Sequence, residues 1–247
     1  GVPVGVRTIE HGGATVEIWY PATEATDGPG EAIDFGAALS DAVWERLGDV
    51  QVDTIPTRAV RDANVRRGEE PFPVVLFSHG FGGLRTQSPD LTVHLASRGY
   101  VVISADHPGR MFSDIIPCMF SPAVEGCDLE GFGGADPAPV QGEALLDWIT
   151  WAAEARSSGF EGRIDPERIG MTGHSAGGFT TSTWGSAQPA IDALLPMAGA
   201  VAHEGSVPTR MLSGTCDAVV EQDGIDSAHD GTPDSEVVAL TGAGHLA

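Results

Sequence analysis

The chain has 247 residues, 41% of them hydrophobic, which suffices for one sizeable core and argues against a disordered segment. Its formal charge is −22 and it contains no lysine, so its surface repels nucleic acid and anionic membranes. No apolar run approaches the roughly 18 residues of a membrane span, and Gly1-Val2-Pro3-Val4 reads as the start of a mature or trimmed chain, not a signal peptide. Two settings fit this composition: a soluble acidic enzyme from a GC-rich genome, or a protein whose dense carboxylates keep it hydrated in brine.

Alternation over Thr15-Val16-Glu17-Ile18-Trp19-Tyr20 predicts an early strand, ended by Pro21. Phe35, Leu39, Val43 and Leu47 recur at helical intervals and predict a short amphipathic helix from 35 to 47 that packs over the core. Pro73–Phe77 is continuously apolar, as in a strand buried on both faces of a parallel sheet. Leu91–Arg98 reads as a helix stopped by Gly99, and Tyr100–Ala105 as the next buried strand, completing a βαβ unit. Residues 107–138, rich in Gly, Pro and Asp, predict a long irregular excursion, and Gln141–Ala155 a helix with Leu145, Trp148, Ile149 and Ala152 on one face. Further strands are expected at Arg168–Thr172, Ile191–Leu195, Thr209–Ser213 and Glu236–Leu240. The alternation of strands and helices predicts an α/β fold: a mostly parallel sheet covered on both faces, with function at the carboxyl ends of the strands.

Gly173-His174-Ser175-Ala176-Gly177 lies between the strand at 168–172 and a helix expected to start near Ala176. Gly-x-Ser-x-Gly in that setting is a nucleophile elbow. The turn is so tight that side chains at the flanking positions would collide with neighbouring elements, hence glycine on both sides. The serine hydroxyl is held above the sheet at a helix N-terminus, which favours developing negative charge.

A serine hydroxyl is a poor nucleophile near neutral pH and needs a base within hydrogen-bond reach, itself oriented by a carboxylate. In this topology the order along the chain is Ser, then Asp or Glu, then His. His203, His229 and His245 follow Ser175. His245 is preferred as base because it directly follows an apolar strand; His203 precedes the acid candidate and His229 sits in a polar, Asp-rich segment. Asp217, just past the strand ending at Ser213, is the expected acid, with Asp223 and Asp226 as competitors in a loop expected to be solvated. The intervals, 42 residues from Ser175 to Asp217 and 28 from Asp217 to His245, each leave room for a helix and a strand.

An oxyanion hole needs two amides. Ala176, after the nucleophile, is expected to supply one; the other should come from Ser78-His79-Gly80-Phe81-Gly82-Gly83, with Phe81 favoured over Gly82. The Phe81 ring could also wall an acyl pocket, and Gly82, His107 and Met197 join it as candidate substrate-binding residues. His79 and His174 read as structural, and so mainly does His107, as a loop residue, with lining the site as its alternative. The histidines and acids show no tight metal-ligand spacing, so no catalytic metal is expected. The glycine-rich loops lack a lysine for phosphate and a dinucleotide fingerprint, so no cofactor is expected. Cys118 and Cys127, nine residues apart, could staple their loop in an exported protein, leaving Cys216 over.

These stretches together resemble the α/β-hydrolase superfamily, in particular its bacterial branch similar to platelet-activating-factor acetylhydrolases, predicted dienelactone hydrolases and polyester-degrading cutinases. The matching segments are Val4–Thr8, Ile18–Ala22, Ser78–Gly83, Asp106–Gly109, Gly162–Gly170 leading into the elbow, and Gly244-His245. The resemblance implies Ser175 as nucleophile, Asp217 as acid, His245 as base and the Phe81 and Ala176 amides as oxyanion hole. Three features depart from the family. Pro196-Met197-Ala198-Gly199 stands where the polyester-degrading cutinases usually carry a clamping tryptophan. The active dienelactone hydrolases proper use cysteine where Ser175 stands. The family usually continues past its histidine into a final helix packed on the sheet, so residues 1–247 are expected to form a single α/β-hydrolase domain without that helix. The expected activity is serine carboxylic-ester hydrolysis on small or accessible esters, with no large lid. Polyester hydrolysis is the alternative, and an inactive scaffold that binds a ligand or partner is the alternative outside enzymology. A secreted or periplasmic monomer is expected, acting on ester substrates and without nucleic-acid or membrane-spanning partners.

Overall fold

Successive side chains in a strand point to opposite faces of its sheet, and the most apolar runs of this chain are apolar at both parities. In the computed structural model, which describes residues 1–25, 30–120 and 136–246, those runs lie at the centre of one sheet. The strands are β1 (Val4–His11), β2 (Ala14–Pro21), β3 (Ala32–Ile33), β4 (Ile55–Pro56), β5 (Ala59–Arg61), β6 (Phe72–Ser78), β7 (Val101–Ala105), β8 (Ile164–His174), β9 (Ala193–Met197), β10 (Thr209–Gly214) and β11 (Ser235–Leu240). The α-helices are α1 (Asp41–Leu47), α2 (Pro89–Ser97), α3 (Phe112–Phe120), α4 (Ala138–Glu154), α5 (Ala176–Thr183) and α6 (Gln222–Asp230). Among the described residues nine strands form one sheet in the order β11-β10-β9-β8-β6-β7-β2-β1-β5, and β3 pairs β4 apart from it.

From β7 to β11 neighbouring strands are parallel, while β2 runs antiparallel to both β7 and β1. The two parities of the central strands feed two cores. Val74, Leu76, Val101, Ile103, Ile18 and Tyr20 join Leu145, Trp148 and Ile149 of α4 in one. Phe77, Val102 and Trp19 join Ala96, Leu91 and Leu95 of α2 in the other. Helices therefore cover both faces, as a mostly parallel sheet requires. A third cluster, with Met211, Ile225 and Ala228, seats α6.

The chain leaves β6 through α2 to reach β7, then crosses back to place β8 on the other side of β6. That reversal makes the carboxyl ends of β6 and β8 the sheet's topological switch point, where ligands bind in open α/β sheets. The loops after Ser78 and His174 meet there.

Four expectations are corrected. The helix expected from Phe35 begins only at Asp41, because the Ser40 hydroxyl caps it by accepting the Val43 amide; a 3-10 turn at Gly36–Ala38 precedes it. The irregular stretch at 107–138 contains α3, an apolar helix that tolerates Pro117. Asp223 and Asp226 lie on helix α6, not in a loop. The sheet also gains β1 and β5 beyond the expected strands. Cys118 is disulfide-bonded and Cys216 is a free, exposed thiol; Cys127 lies outside the described residues, as does part of the region on which the absence of a large lid was expected. Among the described residues no helix is long and apolar enough to cross a membrane.

Candidate active site

Ser175 follows β8 directly and opens α5 with φ 54° and ψ −117°. A non-glycine residue in such a conformation costs roughly 1–3 kcal/mol, so the surroundings must hold it there. The Ser175 amide donates to the Met197 carbonyl at 2.8 Å, and the Ser175 carbonyl accepts the Phe179 amide at 3.0 Å. Both elbow glycines are required by close approach. A Cβ on Gly173 would strike the Gly177 backbone, and one on Gly177 would strike the Ser78 carbonyl. Gly178 likewise lies against the Gly199 carbonyl at the end of β9. The sequence motif thus packs the start of α5 onto the ends of β6 and β9.

The acid and base loops are tied to each other before they reach the serine. The Cys216 amide donates to the Ala243 carbonyl at 2.9 Å, the Thr215 amide to the Leu240 carbonyl at 3.0 Å, and the Gly242 amide to the Thr215 hydroxyl at 2.9 Å. A Cβ on Gly214 would strike Ala243. Asp217 is fully buried at its side chain. Its Oδ1 accepts the Val219 and Val220 amides at 2.8 and 2.9 Å, which aims Oδ2 at His245 Nδ1, 2.8 Å away. Burial pushes the Asp217 carboxyl up. The hydrogen bonds from His245, Val220 and Val219 outweigh it and hold the group below its ordinary value. Because a carboxylate only accepts, His245 Nδ1 carries the proton, which leaves Nε2 as acceptor. That Nε2 lies 2.9 Å from Ser175 Oγ. Ser175, Asp217 and His245 therefore form one hydrogen-bonded chain, while Asp223, Asp226, His203 and His229 stay out of it. His203 instead bonds Thr209, and His229 bonds Ser235.

The loop after β6 closes the other side. The site of a Cβ on Gly80 lies 3.4 Å from Ser175 Cβ, so this loop passes directly over the serine. The Gly82 amide donates to the Arg110 carbonyl at 2.8 Å and is therefore committed elsewhere, which removes it as an oxyanion donor. Phe81, the next residue of this loop, is 48% exposed. The Ala176 amide, at the first position of α5, is one of the donors a helix leaves without an intrahelical acceptor.

His107 and Met197 are placed differently from the substrate contacts expected of them. His107 is buried; its Nε2 lies 3.0 Å from Ser78 Oγ and its Nδ1 3.3 Å from Gln141 Oε1. It stacks on His79 with ring centroids 4.4 Å apart. Both ring nitrogens are thus spent inside the fold, and burial holds its pKa well below the ordinary histidine value, assisted by His79 and Arg110. The Met197 side chain packs against the α2-side core, and its carbonyl supports the Ser175 amide.

Two supports had no local signal in the sequence. Buried Arg110 donates to the His79 carbonyl at 2.7 Å, to Ser78 Oγ at 2.9 Å and to Asp136 at 2.5 Å, so it fastens the loop after β6. Gln87 reaches both the same loop and His174. Among the described residues no three metal-ligating side chains gather.

A family model of platelet-activating factor acetylhydrolase, isoform II, matches residues 9–121. It ends upstream of Ser175, so the three hydrogen-bonded side chains rest on geometry. Platelet-activating factor acetylhydrolase of Bos taurus is 37% identical over 154 residues, covering 51% of this chain and 34% of that protein. The protein of that name from Gallus gallus is 30% identical over 89 residues, covering 36% and 20%. The one from Cavia porcellus is 22% identical over 187 residues, covering 66% and 42%. The chain thus spans between 20% and 42% of the length of these curated relatives. Among solved structures, a ferulic acid esterase from Streptomyces cinnamoneus superposes with a TM-score of 0.67 at 24% identity, covering 99% of this chain and 75% of that one. At that identity the likeness shows the fold alone.

Proposed function

We propose that this chain, an α/β fold similar to platelet-activating factor acetylhydrolases, is a serine carboxylic-ester hydrolase working through an acyl-enzyme. The observation that carries this reading is the unbroken hydrogen-bonded chain from Ser175 Oγ through His245 to Asp217, set at a strained elbow on the sheet's switch point.

Ser175 Oγ attacks the ester carbonyl carbon while its proton passes to His245 Nε2. The carbonyl oxygen takes up negative charge facing the Phe81 and Ala176 amides, with the α5 N-terminus adding its partial positive charge. The bond to the alcohol breaks as His245 returns the proton to the leaving oxygen. Water then attacks the acyl carbon, giving one proton to His245, which passes it to Ser175 Oγ as the acyl–serine bond breaks and the acid leaves. Asp217 keeps His245 in the productive tautomer and stabilises its cation. The half-exposed Phe81, one residue past Gly80 in the loop that approaches Ser175, is proposed as an apolar wall for the acyl group, and small or accessible acyl esters are the proposed substrates. The disulfide at Cys118 supports an oxidising, extracytoplasmic location.

The test is the initial rate of hydrolysis of p-nitrophenyl esters of increasing acyl length, for wild type and Ser175→Ala side by side. Activity that is strongest on short chains and lost in the variant is expected. Equal rates in the two proteins, or no labelling of the wild type by a fluorophosphonate, would move the binding-scaffold reading to the front.

A further inference from the structure

The side chain next to the nucleophile is turned toward the base. His174 Nε2 lies 2.6 Å from the carbonyl oxygen of His245, and the two imidazoles sit with centroids 4.8 Å apart. A carbonyl only accepts, so Nε2 carries the proton and Nδ1 of the neutral ring accepts. What it accepts is the Gln87 amide, whose Nε2 is 2.9 Å away. The Gln87 Oε1 in turn accepts the Gly80 amide at 2.8 Å. Every donor and acceptor in this row is matched in one direction: Gly80 amide to Gln87, Gln87 to His174, His174 to the His245 carbonyl. Burial holds the His174 pKa below its ordinary value, which keeps the ring neutral and the row intact.

The row joins two loops that come from strands on either side of β8. Gly80 immediately precedes Phe81, the proposed oxyanion donor. The His245 carbonyl belongs to the base itself. A displacement of about 1 Å between such groups costs up to ~10²-fold in rate. Gly83 fits the same arrangement, since a Cβ there would strike Gln87 Oε1.

We infer that Gln87 and His174 are positioning residues, a hydrogen-bonded brace that fixes the base loop at 241–246 relative to the oxyanion loop at 79–83. The catalytic part of this inference rests on the ester-hydrolase reading; the brace itself does not. It predicts a selective effect. Loss of the brace misplaces base and oxyanion donor in the transition state while leaving the acyl pocket in place, so kcat falls and KM stays.

The experiment compares wild type, His174→Ala, His174→Gln, Gln87→Ala and Ser175→Ala, by steady-state hydrolysis of p-nitrophenyl butyrate and by hydrogen–deuterium exchange of the intact proteins. In His174→Ala we expect kcat to fall about 10-fold with KM within twofold, and exchange to rise in both the 241–246 and 79–83 segments. His174→Gln, whose side-chain amide can reach the same carbonyl, should recover most of the rate. Gln87→Ala should reproduce His174→Ala, and it carries the test if His174→Ala does not fold. Unchanged exchange in the two segments overturns the brace, whatever the kinetics. So does a rise in KM at constant kcat, or a His174→Gln protein as slow as His174→Ala. If Ser175→Ala retains wild-type turnover, the ester-hydrolase reading fails instead, and the exchange data alone decide the brace.

Discussion

The carbonyl oxygen of Ser78 occupies the space that a Cβ on Gly177 would take. The contact joins the end of β6 to the first turn of α5, and both partners are backbone, so neither can swing aside. Gly177→Ala is expected to cost about 3 kcal/mol or more, the upper range for overpacking, and to abolish fluorophosphonate labelling of Ser175. Ala176→Gly keeps the amide proposed to face the oxyanion and removes only a methyl group, so its rate should stay within a few-fold of wild type. Thermal melts of the two variants check the contrast; a Gly177→Ala protein that melts with the wild type would refute the contact.

Asp217 uses its two oxygens for different purposes, Oδ1 for the Val219 and Val220 amides and Oδ2 for His245. Asp217→Asn retains the shape and one acceptor oxygen. With that oxygen on the two backbone amides, the new NH₂ group faces His245 Nδ1 and forces the proton to Nε2, where it can no longer accept from Ser175. We expect kcat to drop on the order of 10⁴-fold with the melting temperature nearly unchanged. Steady-state kinetics on an activated ester measures it. A loss below tenfold would remove Asp217 from the orienting role.

The elements most legible in the sequence are those whose signal is local. Pro73–Phe77 and Tyr100–Ala105 read as buried strands because they are apolar at both parities, and the structure uses both parities, one for each core. The elbow is legible because close backbone approach demands glycine at Gly173 and Gly177. Helix α6 is not, since Ile225 and Ala228 are the buried residues in a nine-residue helix with no side-chain cap. The Gln87–His174 contact spans 87 positions and no pattern within either segment announces it. His107 reads from the sequence as mainly a structural loop residue, but its stacking partner is not legible there. Its place after β7 puts it at the right end of the sheet, but its stacking on His79, a tertiary fact, turns it inward.

That stacked pair makes a prediction about acid. His79 is completely buried, its Nδ1 donating to the Gly80 carbonyl at 2.8 Å and its Nε2 accepting the His107 amide at 3.1 Å. Burial pushes its pKa down to about 3, and the Arg110 charge pushes the same way against the Gly80 hydrogen bond. In the unfolded chain a histidine takes its proton near pH 6.5. Between those values the unfolded state holds the extra proton, so stability is full above about pH 6.5 and falls as the pH drops, by roughly 1.4 kcal/mol per unit for His79. His107, also depressed, adds in the same direction. Urea midpoints measured from pH 7.5 to 4.5 should decline from about 6.5 downward, well above the range where carboxylates titrate. His79→Gln should flatten part of that slope; a midpoint constant down to pH 5 would contradict the buried neutral pair.

Glu17 lies 2% exposed at its side chain, between Arg61 at 2.8 Å and Arg85 at 3.2 Å, and both its oxygens accept the Thr8 hydroxyl. Arg85 passes the connection on. Its guanidinium and its amide both reach Asp106, at 2.8 and 2.9 Å, so the chain just beyond Gly83 is fastened to the end of β7. Arg61 turns its other side to Glu31 at 2.7 Å. Glu17→Gln keeps the volume and removes the charge that both arginines face. Breaking a buried pair costs about 3–5 kcal/mol. Because the two arginines are 37% and 28% exposed, water offsets part of this and the low end, about 3 kcal/mol, is expected. For a domain of this size that lowers the melting temperature by roughly 6–12 °C. Added salt should change the difference little, since Glu17 is shielded from solvent. Scanning calorimetry of the two proteins at low and high salt decides it. A shift within 1–2 °C, or one that salt erases, would mean that the network behaves as a surface ion pair and does not anchor the loop beside the serine.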